Sequence, residues 1–330
     1  MFKILITGGS GFIGHHLAKK LSYNNNVTIM DNLNNYYDVG LKNDRNAILG
    51  QSVEFVELDL TNKPLLDEHF SRNDYEIVVH LAAQAGVRYS FEEPRSYIEN
   101  NILASFNLLE CLKNKNIKHF LFSSTSSVYG YRDIDESFKE TDETSKQLSL
   151  YASTKKSVET ILHNYSHNFN IPSTVLRFFT VYGPWGRPDM ALFKFVKSIL
   201  NNDPIDVYNE GKMWRDFTYI DDLTESISLL INIIPNRVKI CEEDNLSKIA
   251  PYRIVNIGNS KSEKLEDFID TLEIIINKKA LRNYLPIQAG DVPYTLSDIS
   301  LLRKITGYSP NTSIHNGIKK FYEWYKNYYC

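Results

Sequence analysis

Apolar residues in the first half of the chain fall into short runs that alternate with longer stretches of helical spacing. The runs at 2–7, 27–31, 53–57, 76–80, 118–123 and 173–178 predict strands, and the stretches near 12–22, 63–71, 95–114 and 149–168 predict helices. Strands and helices in regular alternation imply the α/β class, with a doubly wound parallel sheet. Beyond Phe178 the pattern loosens, because prolines at 184, 188, 204, 235, 251, 286 and 293 break it into short pieces. A smaller C-terminal lobe that closes over a ligand is expected there. Residues 235–252, rich in charged and polar groups, predict a surface excursion, and the aromatic tail Phe321 to Tyr329 predicts a packed terminal helix.

Composition narrows the class without naming a chemistry. A chain of 330 residues can bury a large core and divide into two lobes. A net charge of −3 gives no case for nucleic acid or an anionic membrane. Cys111, Cys241 and Cys330 are odd in number, widely spaced and without metal-ligand spacing, so reduced thiols are expected. A first strand starting at Phe2 leaves no room for a signal peptide, and no apolar run reaches membrane-spanning length; a cytoplasmic protein is expected.

Candidate chemistry begins directly after the first strand, at Gly8-Gly9-Ser10-Gly11-Phe12-Ile13-Gly14. Gly8 permits a tight turn, Gly11 lets backbone amides approach a pyrophosphate, and Gly14 lets the following helix pack closely. The unpaired N–H groups of that helix's first turn suit a diphosphate without any lysine. The second strand ends on Asp31, where a dinucleotide fold places an acid against the adenosine ribose. Asn32, Leu33 and Asn34 follow, with no arginine to accept a 2′-phosphate, so NAD is favoured over NADP.

The fifth strand runs into Ser124-Thr125-Ser126-Ser127, and the next predicted helix carries Tyr151 and Lys155 on one face. A phenol beside an ammonium is a candidate base for a hydroxyl whose carbon gives up a hydride, with Thr125 holding that hydroxyl. The same Tyr-x-x-x-Lys spacing recurs at Tyr208/Lys212 and Tyr322/Lys326, outside that context, where packing or solvated residues are expected. His163 and His167 have a ligand spacing on one helix, but no third ligand is evident and no metal is expected.

Together the glycine turn, Asp31, the serine/threonine cluster and Tyr151/Lys155 resemble the extended short-chain dehydrogenase/reductase family, end to end. Ala82-Ala83-Gln84-Ala85-Gly86-Val87-Arg88-Tyr89-Ser90 and Phe179-Thr180-Val181-Tyr182-Gly183-Pro184-Trp185-Gly186-Arg187-Pro188-Asp189-Met190 resemble, within it, the UDP-glucuronate 4-epimerases. That resemblance implies a Rossmann-type NAD-binding domain over 1–179, joined by 214–257, and a UDP-sugar lobe over 180–213 and 258–330. It implies a homodimer joined through the helices near 95–114 and 149–168. It also implies that Phe12, Ile13, Asn32, Asp59, Leu60, Ala82, Ala83 and Phe178 join the glycine turn, Asp31, Tyr151 and Lys155 around NAD.

For the substrate, the resemblance implies a UDP-hexuronic acid. Arg187 would meet the C6 carboxylate in a two-pronged contact, with Arg88 as a second candidate. Thr180 stands where relatives acting on neutral sugars commonly carry asparagine. Thr180, Ser126 and Ser127 would help keep the carboxylate from leaving as carbon dioxide. Arg215 would face the UDP phosphates with Asp216 orienting it, and Asp291 would accept a uridine-ribose hydroxyl. Epimerisation of UDP-glucose or UDP-N-acetylglucosamine and decarboxylation of UDP-glucuronate compete with this reading. A 4,6-dehydratase is disfavoured by Ser126-Ser127, and an NAD sensor without turnover by the presence of Tyr151, Lys155 and Thr125.

Overall fold

Seven parallel strands form the large sheet of the computed structural model, which describes residues 1–132 and 136–330. Its first half runs β1 (Lys3–Thr7), α1 (Phe12–Leu21), β2 (Asn26–Asp31), α2 (Val39–Leu49), β3 (Val53–Glu57), α3 (Lys63–Arg72) and β4 (Ile77–His80). Next come α4 (Tyr89–Glu92), α5 (Pro94–Tyr97), α6 (Ala104–Leu112), β5 (His119–Thr125), α7 (Leu150–Phe169) and β6 (Ser173–Phe178). The spatial order is β10-β6-β5-β4-β1-β2-β3, with β10 (Tyr252–Ile257) arriving late in the chain. Successive side chains of a strand point to opposite faces, so Ile4 and Ile6 enter one core cluster while Leu5 enters the other. Helices cover both faces of the inner strands, which is why these read as near-continuous apolar runs, whereas the edge strand β3 interleaves apolar and acidic residues. Each fully buried Ile, Leu or Val contributes about 1.5–3 kcal/mol of transfer free energy.

After β6 the chain continues in short pieces, which build the second lobe and return to the large sheet. These are β7 (Thr180–Tyr182), α8 (Ala191–Asn201), β8 (Pro204–Tyr208), β9 (Trp214–Tyr219), α9 (Ile220–Leu230), β11 (Ser262–Lys264), α10 (Leu265–Ile276), β12 (Leu281–Leu285), α11 (Ser300–Thr306) and α12 (Ile314–Tyr329). β11-β9-β7 make a three-stranded sheet, β12 pairs with β8, and α9 leads back towards β10 in the large sheet. In α12, Phe321 and Tyr325 are buried, Trp324 lies tilted against Trp185, and Tyr328 meets Trp185 edge-on.

The structure departs from the sequence reading, or adds to it, at three places. The helix expected over 95–114 is divided: a π-helical stretch, Ile98–Leu103, separates α5 from α6. Within it Asn101 accepts from the Gln84 amide at 2.7 Å and donates to Thr154 at 2.9 Å, so the irregular turn ties the loop after β4 to α7. The excursion over 235–252 is anchored as well as exposed. Asp244 forms a buried two-pronged pair with Arg253, and Asn245 bonds both the amide and the carbonyl of Ile254, which covers the open edge of β10. Finally α2 was not expected, because its buried face reads Leu41, Lys42, Arg45 and Leu49, and two cations interrupt the apolar stripe.

Candidate active site

The order of strands reverses direction at β1, and the crevice outside the carboxyl ends of β1 and β4 is where such sheets bind ligands. A cavity of about 400 Å³ opens there. Its floor is the glycine turn. Gly8 has φ +70°, and a Cβ on it would lie 2.7 Å from the Ala82 backbone nitrogen. A Cβ on Gly14 would lie 2.3 Å from the Gly8 carbonyl oxygen, so α1 reaches the turn only through a glycine. Gly11 is the N-cap of α1 and has no side chain to cap it; the first turn carries no acid. Free amides, a positive helix end and a backbone that allows close approach fit the diphosphate of a dinucleotide. Gly11, Phe12, Ile13 and Gly14 all line the cavity.

Asp31, Asn32, Asp59 and Leu60 form one end of this wall, and Ala82, Ala83 and Phe178 line the cavity as well. The Asp31 carboxylate is fixed by the amides of Ser10 at 3.2 Å and Leu33 at 2.9 Å, and Asn32 donates to Asp59 at 2.8 Å. Burial opposes ionisation of Asp59, but hydrogen bonds from Thr61 and Asn32 hold its carboxyl below the usual range. Sequence reasoning missed Lys42, which lines the cavity 3.9 Å from Asp31 and donates to both oxygens of Asn34. It missed the buried Arg45, which donates to Ser10, Tyr37 and Trp185. The signal available was the N-cap Asp38, whose side chain accepts from Gly40 at the start of α2.

At the other end the cavity meets Thr125, Ser126, Ser127, Tyr151 and Lys155. Thr125 ends β5 and receives the Ser127 amide at 3.1 Å, which turns the chain into a short 3-10 helix, Ser126–Tyr129. Ser149 caps α7 by accepting from Ala152, and the helix then presents Tyr151 and Lys155 one turn apart. Burial raises the Tyr151 phenol, while a hydrogen bond with Thr125 and the charge of Arg187 act in the opposite direction. Lys155 donates to the Ser123 carbonyl at 2.7 Å; burial lowers its ammonium to about 7, with Glu159 opposing that fall. A poised phenol, a hydroxyl partner and a buried amine can move a proton to or from a bound alcohol.

Thr180, from β7, and Arg187 line the same cavity. The guanidinium of Arg187 pairs side-on with Asp189, its Nε donating to Oδ1 at 2.9 Å and its Nη2 to Oδ2 at 2.5 Å. Three other expected site residues stand outside that lining and lie close to one another. Arg88 pairs with Asp291 at 3.1 Å and lies over the Tyr208 ring at 4.3 Å. Burial lowers Arg215 to about 10, with Asp291 favouring its charge and Arg88 opposing it. Asp216 was expected to orient Arg215, and it does not. It is fully buried and accepts from the amides of Ser297, Asn259 and Ser260 and from the Ser297 hydroxyl, so it fastens two loops of the second lobe.

The remaining candidates have other surroundings. Tyr208 ends β8 with Lys212 beyond a turn, and Tyr322 and Lys326 lie on α12. His163 and His167 hydrogen-bond to Ser247 and the Ile249 carbonyl, holding the excursion against α7. All three cysteines are free thiols.

Known proteins share this architecture over its full length. The chain is 48% identical to Protein CapI of Staphylococcus aureus, with 99% of each covered, and 46% identical to a probable UDP-glucuronate 4-epimerase of Rhizobium meliloti, covering 99% of this chain and 98% of that one. Its fold is similar to that of the UDP-glucuronic acid 4-epimerase from Bacillus cereus solved with UDP-glucuronic acid and NAD. That match has a TM-score of 0.87 and 34% identity, and covers 99% of this chain and 100% of the other. The model of the NAD dependent epimerase/dehydratase family matches residues 4–258, and the chain belongs to that family.

Proposed function

We propose that this protein is an NAD-dependent 4-epimerase that interconverts UDP-glucuronate and UDP-galacturonate. The observation that carries the reading is that Arg187 lines the same cavity as Tyr151 and Thr125, so one ligand can meet a cation and a base together. The names borne by the relatives support it. The glycine turn, Asp31, Asn32, Asp59, Leu60, Ala82, Ala83 and Phe178 would hold the dinucleotide, residues 1–179 with 214–257 forming its domain and 180–213 with 258–330 the UDP-sugar lobe. NAD, when bound, takes up the C4 hydride and gives it back to the opposite face.

The chain's own residues do the rest. Tyr151 takes the proton of the sugar 4-hydroxyl and later returns it, with Thr125 holding that oxygen. Lys155, fixed by Ser123, lines the same cavity one helical turn from Tyr151, and burial leaves it only partly charged near neutral pH. Arg215 and Asp291 would face the UDP portion, about which the sugar turns between the two transfers; Arg88, a sequence candidate for the carboxylate, is paired with Asp291 outside the cavity lining, and we assign it to the UDP side instead. The intermediate is a β-keto acid, and the carboxylate must be kept away from the geometry that releases carbon dioxide. Arg187, Thr180, Ser126 and Ser127 do this by directed hydrogen bonds.

We propose a homodimer, supported by the exposed Ile98, Leu103 and Phe106 on the α5–α6 segment and Phe169 at the end of α7. No described helix is long and apolar enough to cross a membrane. We place the protein in the cytoplasm.

The test is a proton NMR time course with UDP-glucuronate, following the anomeric signals with and without added NAD. A galacturonate signal rising to a constant ratio, and absent with Tyr151→Phe, is the expected result. A 4-keto pentose or UDP-xylose would replace the reading with decarboxylation. Turnover of UDP-glucose or UDP-N-acetylglucosamine alone would replace it with a neutral-sugar epimerase.

A further inference from the structure

Arg187 does not approach the cavity as a free cation. Its Nε and Nη2 edge is occupied by Asp189, and Asp189 Oδ2 also accepts from the Tyr36 hydroxyl at 3.3 Å. Arg187 and Tyr36 line the cavity, whereas Asp189 stands behind them, outside the lining. Burial opposes the charge on Asp189, yet the adjoining guanidinium keeps its carboxyl below the usual range, so the pair is ionic. A guanidinium has five N–H donors in a rigid plane. With the Nε/Nη2 edge engaged, the Nη1 end and one Nη2 hydrogen are left for a second carboxylate. The direction from which that carboxylate can bind is therefore set before it arrives.

The charges add a second constraint. Arg187 and Asp189 sum to zero, and a hexuronate carboxylate brings the group of three to −1. Attraction is moderated while direction is retained. An epimerase needs this combination, since a sugar that turns over between hydride transfers must exchange its contacts within each turnover. Tyr36 extends the arrangement to the loop after β2, which follows Asp31 and also carries the cavity-lining Asn32.

We infer that Asp189 is a positioning and specificity-determining residue: it presents one end of Arg187 to the substrate carboxylate and limits how tightly that carboxylate is held. The inference rests on the assignment of Arg187 to the C6 carboxylate. Its chemical consequence concerns the 4-keto intermediate. Loss of carbon dioxide breaks the C5–C6 bond, places the electron pair in an enolate on the C4 oxygen, and is completed by protonation at C5. A guanidinium free to swing would let the carboxylate reach the perpendicular geometry that this requires.

The experiment compares the parent protein, Asp189→Asn and Arg187→Ala, each loaded with NAD, by calorimetric titration with UDP-glucuronate and with UDP-glucose, and by NMR analysis of products from UDP-glucuronate. Asp189→Asn is expected to raise the preference for UDP-glucuronate over UDP-glucose by roughly fivefold, to slow turnover, and to increase the decarboxylated share of product. Arg187→Ala is expected to move the preference the opposite way, towards equality. A merely supporting Asp189 would make its variant resemble Arg187→Ala, and that result overturns the inference, as does an unchanged preference and product ratio. If Arg187→Ala weakens both ligands equally, the carboxylate assignment itself fails and the inference falls with it. Tyr36→Phe, which removes only the outer hydrogen bond, should repeat the Asp189→Asn pattern at smaller size.

Discussion

The glycine-turn end of the cavity and the region of paired charges beyond its lining are built on different principles. At the glycine turn the positions follow chiefly from backbone: Gly8 against Ala82, Gly14 against Gly8, and the amides of Ser10 and Leu33 on Asp31. Beyond the lining they follow from pairs of charged side chains far apart in sequence, such as Arg88 with Asp291, or from a buried carboxylate gathering loops, as Asp216 does. Close backbone packing admits one residue type and shows no tolerance. Paired side chains admit substitution of one partner at a cost set by burial.

The largest effect should come from the glycine-turn end. Gly14→Ala puts a methyl group 2.3 Å from the Gly8 carbonyl oxygen, where only backbone could yield. Purified variant protein is expected to carry no NAD and to regain no epimerisation when NAD is added; retention of bound cofactor, read by absorbance after denaturation, would show that the turn can open. An intermediate effect belongs to Asp216→Asn. An amide nitrogen would face donors where the carboxylate now accepts four hydrogen bonds, at a cost of about 2–3 kcal/mol in denaturant unfolding. A loss below half of that would mean the loops of the second lobe are held by packing alone. Smallest is Arg88→Ala. The Arg88 side chain is 46% exposed, so removing its pair with Asp291 should change stability by less than about 1 kcal/mol. The same variant should raise KM for UDP-glucuronate several-fold, and an unchanged KM would remove Arg88 from the UDP side of the site.

The same contrast explains what could be seen in the sequence. Six of the seven large-sheet strands were legible: the inner ones because they are apolar-rich and covered on both faces, and the edge strand β3 because it interleaves apolar and charged residues. β10 was missed because it follows the polar excursion and begins Tyr252-Arg253, whose guanidinium is buried only by virtue of Asp244. The glycine turn was legible because its residues serve a local backbone path. The α2 face carrying Lys42 and Arg45 was not, since cations buried by partners in other loops carry no local mark. Asp216 was misread for a related reason. Its neighbour Arg215 is adjacent in sequence, but alternate residues of a strand face opposite ways, and its partners lie beyond Gly258 and at Ser297.

The late arrival of β10 also shapes how this chain is made. When a ribosome has delivered the residues up to β6, six of the seven strands of the large sheet are present, yet the outer edge of β6 is still open. Its partner lies beyond the whole of β7, β8 and β9. Until residue 257 emerges, the nascent sheet has at its border a strand that is wholly buried in the finished fold, its outer amides and carbonyls unpaired and able to pair with another chain. A truncated protein ending near residue 179 is thus a candidate for strand-to-strand association, and expression of the whole chain depends on how soon translation brings the seventh strand home.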